Sequence, residues 1–474
     1  MSPSAAEEIC FRPAAELAAL LRRRELSARE VTAAHLAQIE RWNPVVNAIV
    51  TLTAEAAMQA AAHADEAAAK GEFLGALHGL PVVHKDLHDT RGIRTTYGSP
   101  IFRDHVPDQD ALIVERMKRA GAVTLGKSNT PEFGAGSQTF NPVFGATRNP
   151  WDPRLTCGGS SGGATVALAC GMAALAGGSD MGGSLRNPAS FCNVVGLRPS
   201  PGRVPQLSMH SAWQTLSVDG PMGRTVADVA LALSAIAWPD PRDPISLEQG
   251  GAGFAQPLER DFRRIRVAWW KDLGGTVFDP RISAAVNARR QVFEELGCMV
   301  EQAEPDLAGA DEIFRTFRAW LFELRLGELP AKHRGQIKET VIEEIERGRR
   351  LTGADIGRAE VLRTGLYHRV REFFERFDFF VLPVTQVPPF SLEEPWVKEI
   401  AGQRMSTYID WMRSCYYISV TGCPAISVPC GFTPEGLPIG LQIVGRHRDD
   451  WGVLQLANAF EQATACWKLR PNNP

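Results

Sequence analysis

Short apolar runs alternate with amphipathic segments along the first half of this chain. Ser27 and Glu30 have the spacing of a capping box and predict the start of a helix. Residues 80–83 predict a short buried strand, and residues 110–125 predict a helix followed by a strand. This alternation of helices and buried strands favours an α/β domain with a mixed, mostly parallel central sheet that helices cover on both faces.

The second half begins with the same alternation and then changes. Residues 280–296 predict one amphipathic helix, and residues 307–377 are nearly all helical in pattern. Apolar runs at 425–428 and 439–444 flank a Pro-Glu-Gly turn and predict a hairpin. Because no Pro/Gly/Ser-rich linker divides the chain, we expect residues 1–474 to form a single large domain.

Composition excludes several classes of protein. The net charge is −3, with 44% hydrophobic and 22% charged residues, so a globular protein is predicted, with no nucleic-acid or membrane partner. No apolar run reaches the ~18 residues of a spanning helix, and the first residues lack the apolar stretch of a signal peptide. The nine cysteines include no CxxC pair. They predict reduced thiols, no metal site and a cytoplasmic protein.

Glycine is unevenly distributed. Residues 158–202 contain 11 of the 43 glycines, far above an even share. Glycine is used where the backbone must pass close to another group or adopt a positive φ. The cluster holds two serine-bearing turns, centred on Ser160 and Ser184, and is therefore a candidate site.

Two known motifs match formally, a phosphate-binding motif upstream of this cluster and a serine motif within it. Residues 121–128 fit the P-loop pattern, but their middle positions predict a strand where a P-loop requires a loop. Residues 158–162 fit the Gly-x-Ser-x-Gly elbow of α/β hydrolases, but a loop precedes them instead of a strand. Both alternatives remain open but are disfavoured.

Lys85 offers a third mechanism. It follows a short apolar strand, where burial would lower its pKa by disfavouring the charged form. A neutral amine could then act as a base toward a serine. The surroundings of Lys85, the glycine-flanked serine pair and the second serine turn together resemble the amidase signature family. The segments that carry the resemblance are Pro81-Val-Val-His-Lys-Asp, Gly158-Gly-Ser-Ser-Gly-Gly and Ser179-Asp-Met-Gly-Gly-Ser-Leu-Arg-Asn-Pro.

The resemblance implies the amidase signature fold. It covers residues of about 12–235 and 375–465, of which about 75–235 and 375–465 would form the catalytic core. Residues of about 240–370 are outside it and would be a variable helical segment near the substrate.

The resemblance also implies the roles of individual residues. Ser184 corresponds to the family's nucleophile, Ser160 to the serine that relays the proton, and Lys85 to the general base. The oxyanion hole would consist of backbone N–H groups, those of Met181, Gly182, Gly183 and Ser184.

Three further residues would support this loop. An ion pair of Asp180 with Arg186 is expected to hold it, and Ser161 is expected to be a structural hydrogen-bond partner. The chemistry needs no metal or organic cofactor.

Aromatic residues suggest the substrate. The predicted substrate-binding residues are Trp213, Phe317, Trp411 and Tyr416, with Phe314 and Phe322 as further candidates. They favour a small-molecule substrate, an aryl or hydrophobic amide, and esters should react as well. A carbamate (urethane) or ureido hydrolase of the same family is the alternative. The glutaminase component of a tRNA-dependent amidotransferase complex is an alternative of another class. A homo-oligomer is compatible with the sequence.

Overall fold

Eleven strands form one mixed sheet that organises the chain. A computed structural model describes residues 3–472, with side chains from residue 6 onward. The strands in chain order are β1 (Ile49–Leu52), β2 (Pro81–Lys85), β3 (Val123–Ser128), β4 (Phe140–Asn141), β5 (Gly145–Ala146), β6 (Leu175–Asp180), β7 (Val195–Arg198), β8 (Val218–Gly223), β9 (Arg266–Trp269), β10 (Met299–Gln302), β11 (Phe379–Pro383), β12 (Glu399–Ile400), β13 (Gln403–Arg404), β14 (Ala425–Phe432) and β15 (Pro438–Gly445).

The order in the large sheet is β1-β3-β2-β6-β8-β7-β14-β15-β11-β9-β10, while β4 with β5 and β12 with β13 form separate two-stranded ribbons. Parallel pairing joins β3, β2 and β6 near one edge, and β11, β9 and β10 at the other. The strands between these blocks pair antiparallel, as does β1 with β3. The α/β class and the mixed sheet are confirmed, although parallel pairs are fewer than expected because a run of antiparallel strands fills the centre.

Helices cover the sheet on both faces. They are α1 (Pro3–Phe11), α2 (Ala14–Arg23), α3 (Ala28–Val46), α4 (Ala54–Ala69), α5 (Leu112–Arg119), α6 (Gly162–Ala169), α7 (Arg186–Cys192), α8 (Val226–Ile236), α9 (Pro280–Asn287), α10 (Arg290–Glu295), α11 (Ala310–Leu326), α12 (Leu329–His333), α13 (Glu339–Arg350), α14 (Gly353–Arg376), α15 (Arg413–Thr421) and α16 (Asp450–Thr464). Helices α6 and α7 pack together on the central strands, and α8 and α16 form another such pair. Within residues 3–472, no helix is both long and apolar enough to cross a bilayer.

Most predicted elements are present. The capping box of Ser27 and Glu30 starts α3, and the predicted hairpin is formed by β14 and β15. The single helix expected over 280–296 is divided into α9 and α10. At the break, the side chain of Arg289 donates a hydrogen bond to the carbonyl oxygen of Cys430.

The formal P-loop match is part of a strand. Residues 123–128 form β3, and Lys127 is buried beneath the loop that follows β2. Its ammonium group donates hydrogen bonds to the hydroxyls of Thr90 and Thr95, at 2.9 and 2.8 Å. Lys127 therefore secures a loop of the protein and is not available to a phosphate.

The helical segment between β10 and β11 packs against the core through α11. This helix contacts α13 and α14 within the segment and α15 outside it. Because α15 also lies close to the loop between β6 and α7, α11 reaches the neighbourhood of the glycine-rich turns.

We expect removal of the helix cap at Thr225 to destabilise the fold measurably. The Thr225 hydroxyl accepts a hydrogen bond from the N–H of Asp228, and the Asp228 carboxylate accepts one from the N–H of Thr225. Thr225→Ala should lower the free energy of unfolding by about 1 kcal/mol, measured by urea denaturation. Thr225→Ser keeps the oxygen and should retain most of that stability. Equal losses in both variants would contradict a capping role.

Candidate active site

Three elements bring a lysine and two serines together. Lys85 is the last residue of β2, Ser179 lies in the adjacent strand β6, and Ser160 lies in the loop before α6. The Lys85 Nζ donates hydrogen bonds to Ser160 Oγ at 2.7 Å and to Ser179 Oγ at 3.0 Å. The peptide bond between Gly159 and Ser160 is cis. The arrangement places an amine in direct contact with a hydroxyl with which it can exchange a proton.

Burial changes the chemistry of this amine. Lys85 is fully buried, and burial lowers its pKa from 10.5 to about 7, although the carboxylates of Asp219 and Asp180 oppose the shift. A lysine with this pKa is present partly as the neutral base near neutral pH.

Asp180 fixes the loop that carries Ser184. One carboxylate oxygen accepts the N–H of Gly183 at 3.0 Å, and the other accepts the N–H of Leu185 at 3.1 Å. Arg186 contacts the same carboxylate at 3.0 Å, so the ion pair expected from the sequence is present, and both side chains are fully buried.

A second arginine, absent from the sequence prediction, completes this cluster. Arg198 of β7 lies 3.1 Å from Asp180 Oδ1 and is also fully buried. Burial alone would raise the pKa of Asp180, but Arg186 and Arg198 outweigh it and hold that pKa below its usual value. The carboxylate therefore stays ionised and keeps the loop fixed.

Gly183 has a narrower role than expected. Its N–H is engaged by Asp180, so this amide is directed away from an oxyanion. Outside the strand ladders, no acceptor among residues 3–472 occupies the N–H groups of Met181, Gly182 and Ser184. These three amides remain candidates for an oxyanion hole.

Glycine is nevertheless required at position 183. Its φ is +117°, a conformation that side chains rarely adopt. A Cβ there would lie 2.5 Å from the Cβ of Cys415 in α15. The close approach of α15 thus explains one of the clustered glycines.

Ser161 connects the two serine-bearing loops. Its N–H donates to the carbonyl oxygen of Ser184 at 3.3 Å, and its hydroxyl donates to the carbonyl oxygen of Ser179 at 3.4 Å. Ser161 therefore acts here as a structural hydrogen-bond partner.

The Ser184 hydroxyl stands apart from the lysine–serine pair. Among the described residues it has no hydrogen bond, including none to Ser160, although both serines line one cavity. Hydrogen bonds between catalytic groups are often long without substrate and tighten only in the complex. Ser184 is the only member of the three that this structure leaves unconnected within residues 3–472.

The cavity has a volume of about 700 Å³ and an extensive apolar wall. That wall includes Phe133, Phe314, Leu321, Phe322 and Met412. A volume in this range suits a small organic molecule.

The four predicted substrate-binding residues are not on the cavity wall. Trp213 is 76% exposed, while Phe317, Trp411 and Tyr416 are buried in the aromatic core. Trp411 stacks on Phe191 and makes an edge contact with Phe390, with ring centroids 6.3 and 5.2 Å apart, and its side chain is buried.

Tyr416 acts on the cavity indirectly. It stacks on Phe314 at 4.3 Å and thereby supports a residue of the wall. Phe314 and Phe322 do line the cavity, as their position in the variable segment suggested. Sequence reasoning missed Ser179 as a partner of Lys85, although Ser179 begins one of the motifs. The contact depends on the parallel pairing of β2 with β6, which the sequence does not reveal.

The cysteines near the site are buried thiols. All nine cysteines are buried and free, and burial raises the pKa of those lying nearest the loops, Cys157, Cys192 and Cys415. No group of three or more His, Cys, Asp or Glu side chains within residues 3–472 is arranged to hold a metal ion.

Comparison with known proteins agrees with this geometry. The amidase family profile matches residues 30–454. An acylamidase of Rhodococcus erythropolis is 37% identical over 94% of both chains. The A chain of a glutamyl-tRNA(Gln) amidotransferase of Moorella thermoacetica is 36% identical over 98% of this chain and 99% of the relative.

Solved structures give the same result. A bacterial aryl acylamidase of the amidase signature family superposes with a TM-score of 0.92, at 29% identity over 98% of this chain and 99% of the other. A 6-aminohexanoate cyclic dimer hydrolase superposes with a TM-score of 0.88, at 27% identity over the same shares of the two chains. This chain belongs to the amidase signature family. It is an amidohydrolase with the amidase signature fold.

We expect its activity to follow the titration of Lys85. Since only the neutral amine can accept a proton, amidase activity should rise with increasing pH through about 7 and then level off. The measurement is kcat/KM for a neutral amide as a function of pH, which reports groups of the free enzyme. Equal values of kcat/KM at pH values well below and well above this pKa would contradict the assignment of Lys85 as the base.

Proposed function

We propose that this protein hydrolyses aryl or other hydrophobic amides through an acyl-enzyme on Ser184. The observation that carries the proposal is the hydrogen bond of 2.7 Å from the buried Lys85 to Ser160, in a cavity that also contains Ser184. A lysine with a pKa of about 7 supplies the base that this serine needs in place of a histidine.

In the first half-reaction, protons move through Ser160. Neutral Lys85 takes a proton from the Ser160 hydroxyl, which takes one from Ser184 as its Oγ attacks the amide carbonyl. The two lysine contacts, with Ser160 and Ser179, orient the amine for this step. The proton then returns through Ser160 to the leaving amine, and the carbon–nitrogen bond breaks.

The anion of the tetrahedral intermediate needs hydrogen-bond donors. We assign this role to the amides of Met181, Gly182 and Ser184 and remove Gly183, whose N–H is engaged by Asp180. Donors fixed before the reaction stabilise the developing charge without reorganising. The ion pairs of Asp180 hold the loop that presents them.

Water completes the cycle. The lysine–serine relay would remove a proton from water as it attacks the acyl-enzyme, and return it to Ser184 as the carboxylic acid leaves. Because the acyl-enzyme is the same, esters of the same acids should also react.

The apolar wall supports a hydrophobic or aromatic substrate. Phe133, Phe314 and Phe322 provide aromatic surface close to the reacting serine. The resemblance to an acylamidase and to an aryl acylamidase points the same way. Carbamates and ureido compounds undergo the same chemistry and remain alternatives within this proposal.

We expect Ser184→Ala and Lys85→Ala each to reduce hydrolysis of an anilide by at least about a thousandfold while the protein stays folded. A fluorophosphonate probe should label Ser184, located by peptide mass spectrometry. Ser283→Ala in α9, away from the cavity, is the control and should retain activity. Full activity of Ser184→Ala, or labelling of Ser160 in its place, would refute the nucleophile.

We also expect the purified chain to act alone. It should hydrolyse an anilide without partner proteins and show no preference for glutamine, because the aromatic rings of Phe133, Phe314 and Phe322 in the cavity wall favour an aromatic substrate. Release of ammonia from glutamine and release of aniline from acetanilide, measured in parallel, distinguish a glutaminase from an aryl amidase. Hydrolysis of glutamine but not of the anilide would favour a role within an amidotransferase complex, the alternative that the 36% identity to the Moorella thermoacetica relative supports.

A further inference from the structure

Helix α11 presents a stripe of side chains to the cavity. Phe314, Arg318, Leu321, Phe322 and Arg325 all line it, and their spacing places them on one helical face. Two arginines in a largely apolar stripe are unexpected, since a charged side chain near apolar surface is normally paired.

Arg318 has protein partners. Its guanidinium donates to the hydroxyl of Tyr408 at 2.6 Å and lies 3.8 Å from the carboxylate of Glu344. It also lies over the rings of Phe322 and Tyr408. Arg318 is therefore a structural residue of the wall.

Arg325 differs from Arg318. It is partly buried, and no residue among 6–472 forms a hydrogen bond or an ion pair with its guanidinium. Burial lowers the pKa of Arg325, although the charge of Asp219 counteracts this. A guanidinium remains protonated even so. Arg325 therefore brings to the cavity lining a positive charge that no residue among 6–472 contacts by a hydrogen bond or an ion pair.

The acidic residues of the cavity make no direct contact with Arg325, although the charge of Asp219 acts on it from a distance. Asp219 is engaged by His88 at 3.1 Å, and Asp110 by Lys118 at 2.7 Å. The carboxylate of Asp89 accepts a hydrogen bond from Tyr97, and Asp108 is exposed to solvent.

We propose that Arg325 is a specificity-determining residue that binds a carboxylate group of the substrate. A guanidinium offers two parallel N–H donors that match the two oxygens of a carboxylate. The preferred substrate would then be an amide that combines an apolar part, held by the aromatic wall, with a carboxylate at the end of the cavity formed by α11. This inference rests on the proposed hydrolysis through Ser184.

The position of the carboxylate can be determined with matched substrates. On the acyl side, N-succinyl-4-nitroanilide is compared with the neutral N-butyryl-4-nitroanilide. On the amine side, 4-acetamidobenzoate is compared with 4-methylacetanilide. We expect the wild-type protein to prefer the carboxylate in one pair, which identifies the side that faces Arg325.

The decisive variant is Arg325→Gln, which keeps polarity and removes the charge. It should lower kcat/KM for the preferred carboxylate substrate by about 10- to 100-fold, the usual effect of losing a charged hydrogen bond. The value for the neutral partner should not change. Arg325→Lys retains the charge without the planar fork and should recover part of the loss.

Arg358→Gln is the matched control. Arg358 is an exposed arginine of α14 that pairs with Glu312 of α11 at 2.8 Å, outside the cavity. The Arg358→Gln variant should leave the ratio of the two kcat/KM values within each substrate pair unchanged. If Arg325→Gln lowers both members of a pair equally, or neither, the carboxylate site is refuted while the amidase remains. If the wild-type protein hydrolyses no anilide at all, the proposed function itself fails.

Discussion

The carboxylate of Asp180 is the interaction on which the rest of the site depends. It joins Arg186 of α7 to Arg198 of β7 and accepts two amides of the loop between β6 and α7. Arg186 in turn donates to the carbonyl oxygen of Cys415 in α15, which ties a separate part of the chain to the same point. Because all three charges are buried, loss of the carboxylate would leave two cations uncompensated, a change that costs about 3–5 kcal/mol in comparable cases. The geometry of the loop is therefore inseparable from the stability of the fold.

Burial produces opposite results at two neighbouring charges. Asp180 keeps its charge because two arginines contact it directly. Lys85 has hydroxyl partners and only distant carboxylates, so burial dominates and its pKa falls to about 7. The same dry surroundings thus preserve the charge of Asp180, which holds the loop, and favour the neutral amine of Lys85 beside Ser160. Direct contact with an opposite charge, and not depth of burial, decides between the two outcomes.

The sequence predicted the secondary-structure elements and the contact of Lys85 with Ser160 better than it predicted the cavity wall. The class of fold, the helix caps and the turn with Ser184 follow from local patterns and motifs. Strand β8 was missed because Pro221 and two glycines within it indicate a turn. One of these, Gly220, has a packing role, since a Cβ at this position would lie 2.5 Å from the carbonyl oxygen of Leu197. Trp411 was assigned to the substrate because residue type alone does not distinguish core from wall. Such distinctions depend on contacts between distant segments, which periodicity does not encode.

Two parts of the chain with different constraints meet at the cavity. The lysine, the serines and the loop amides come from the central strands and their connections, whereas one wall comes from α11. Substitutions on the inward stripe of that helix alter the shape and charge offered to a ligand without moving the strands. Exchanging side chains on a single helix would therefore be enough to change which molecules fit the cavity, while the hydrogen bond between Lys85 and Ser160 stays in place.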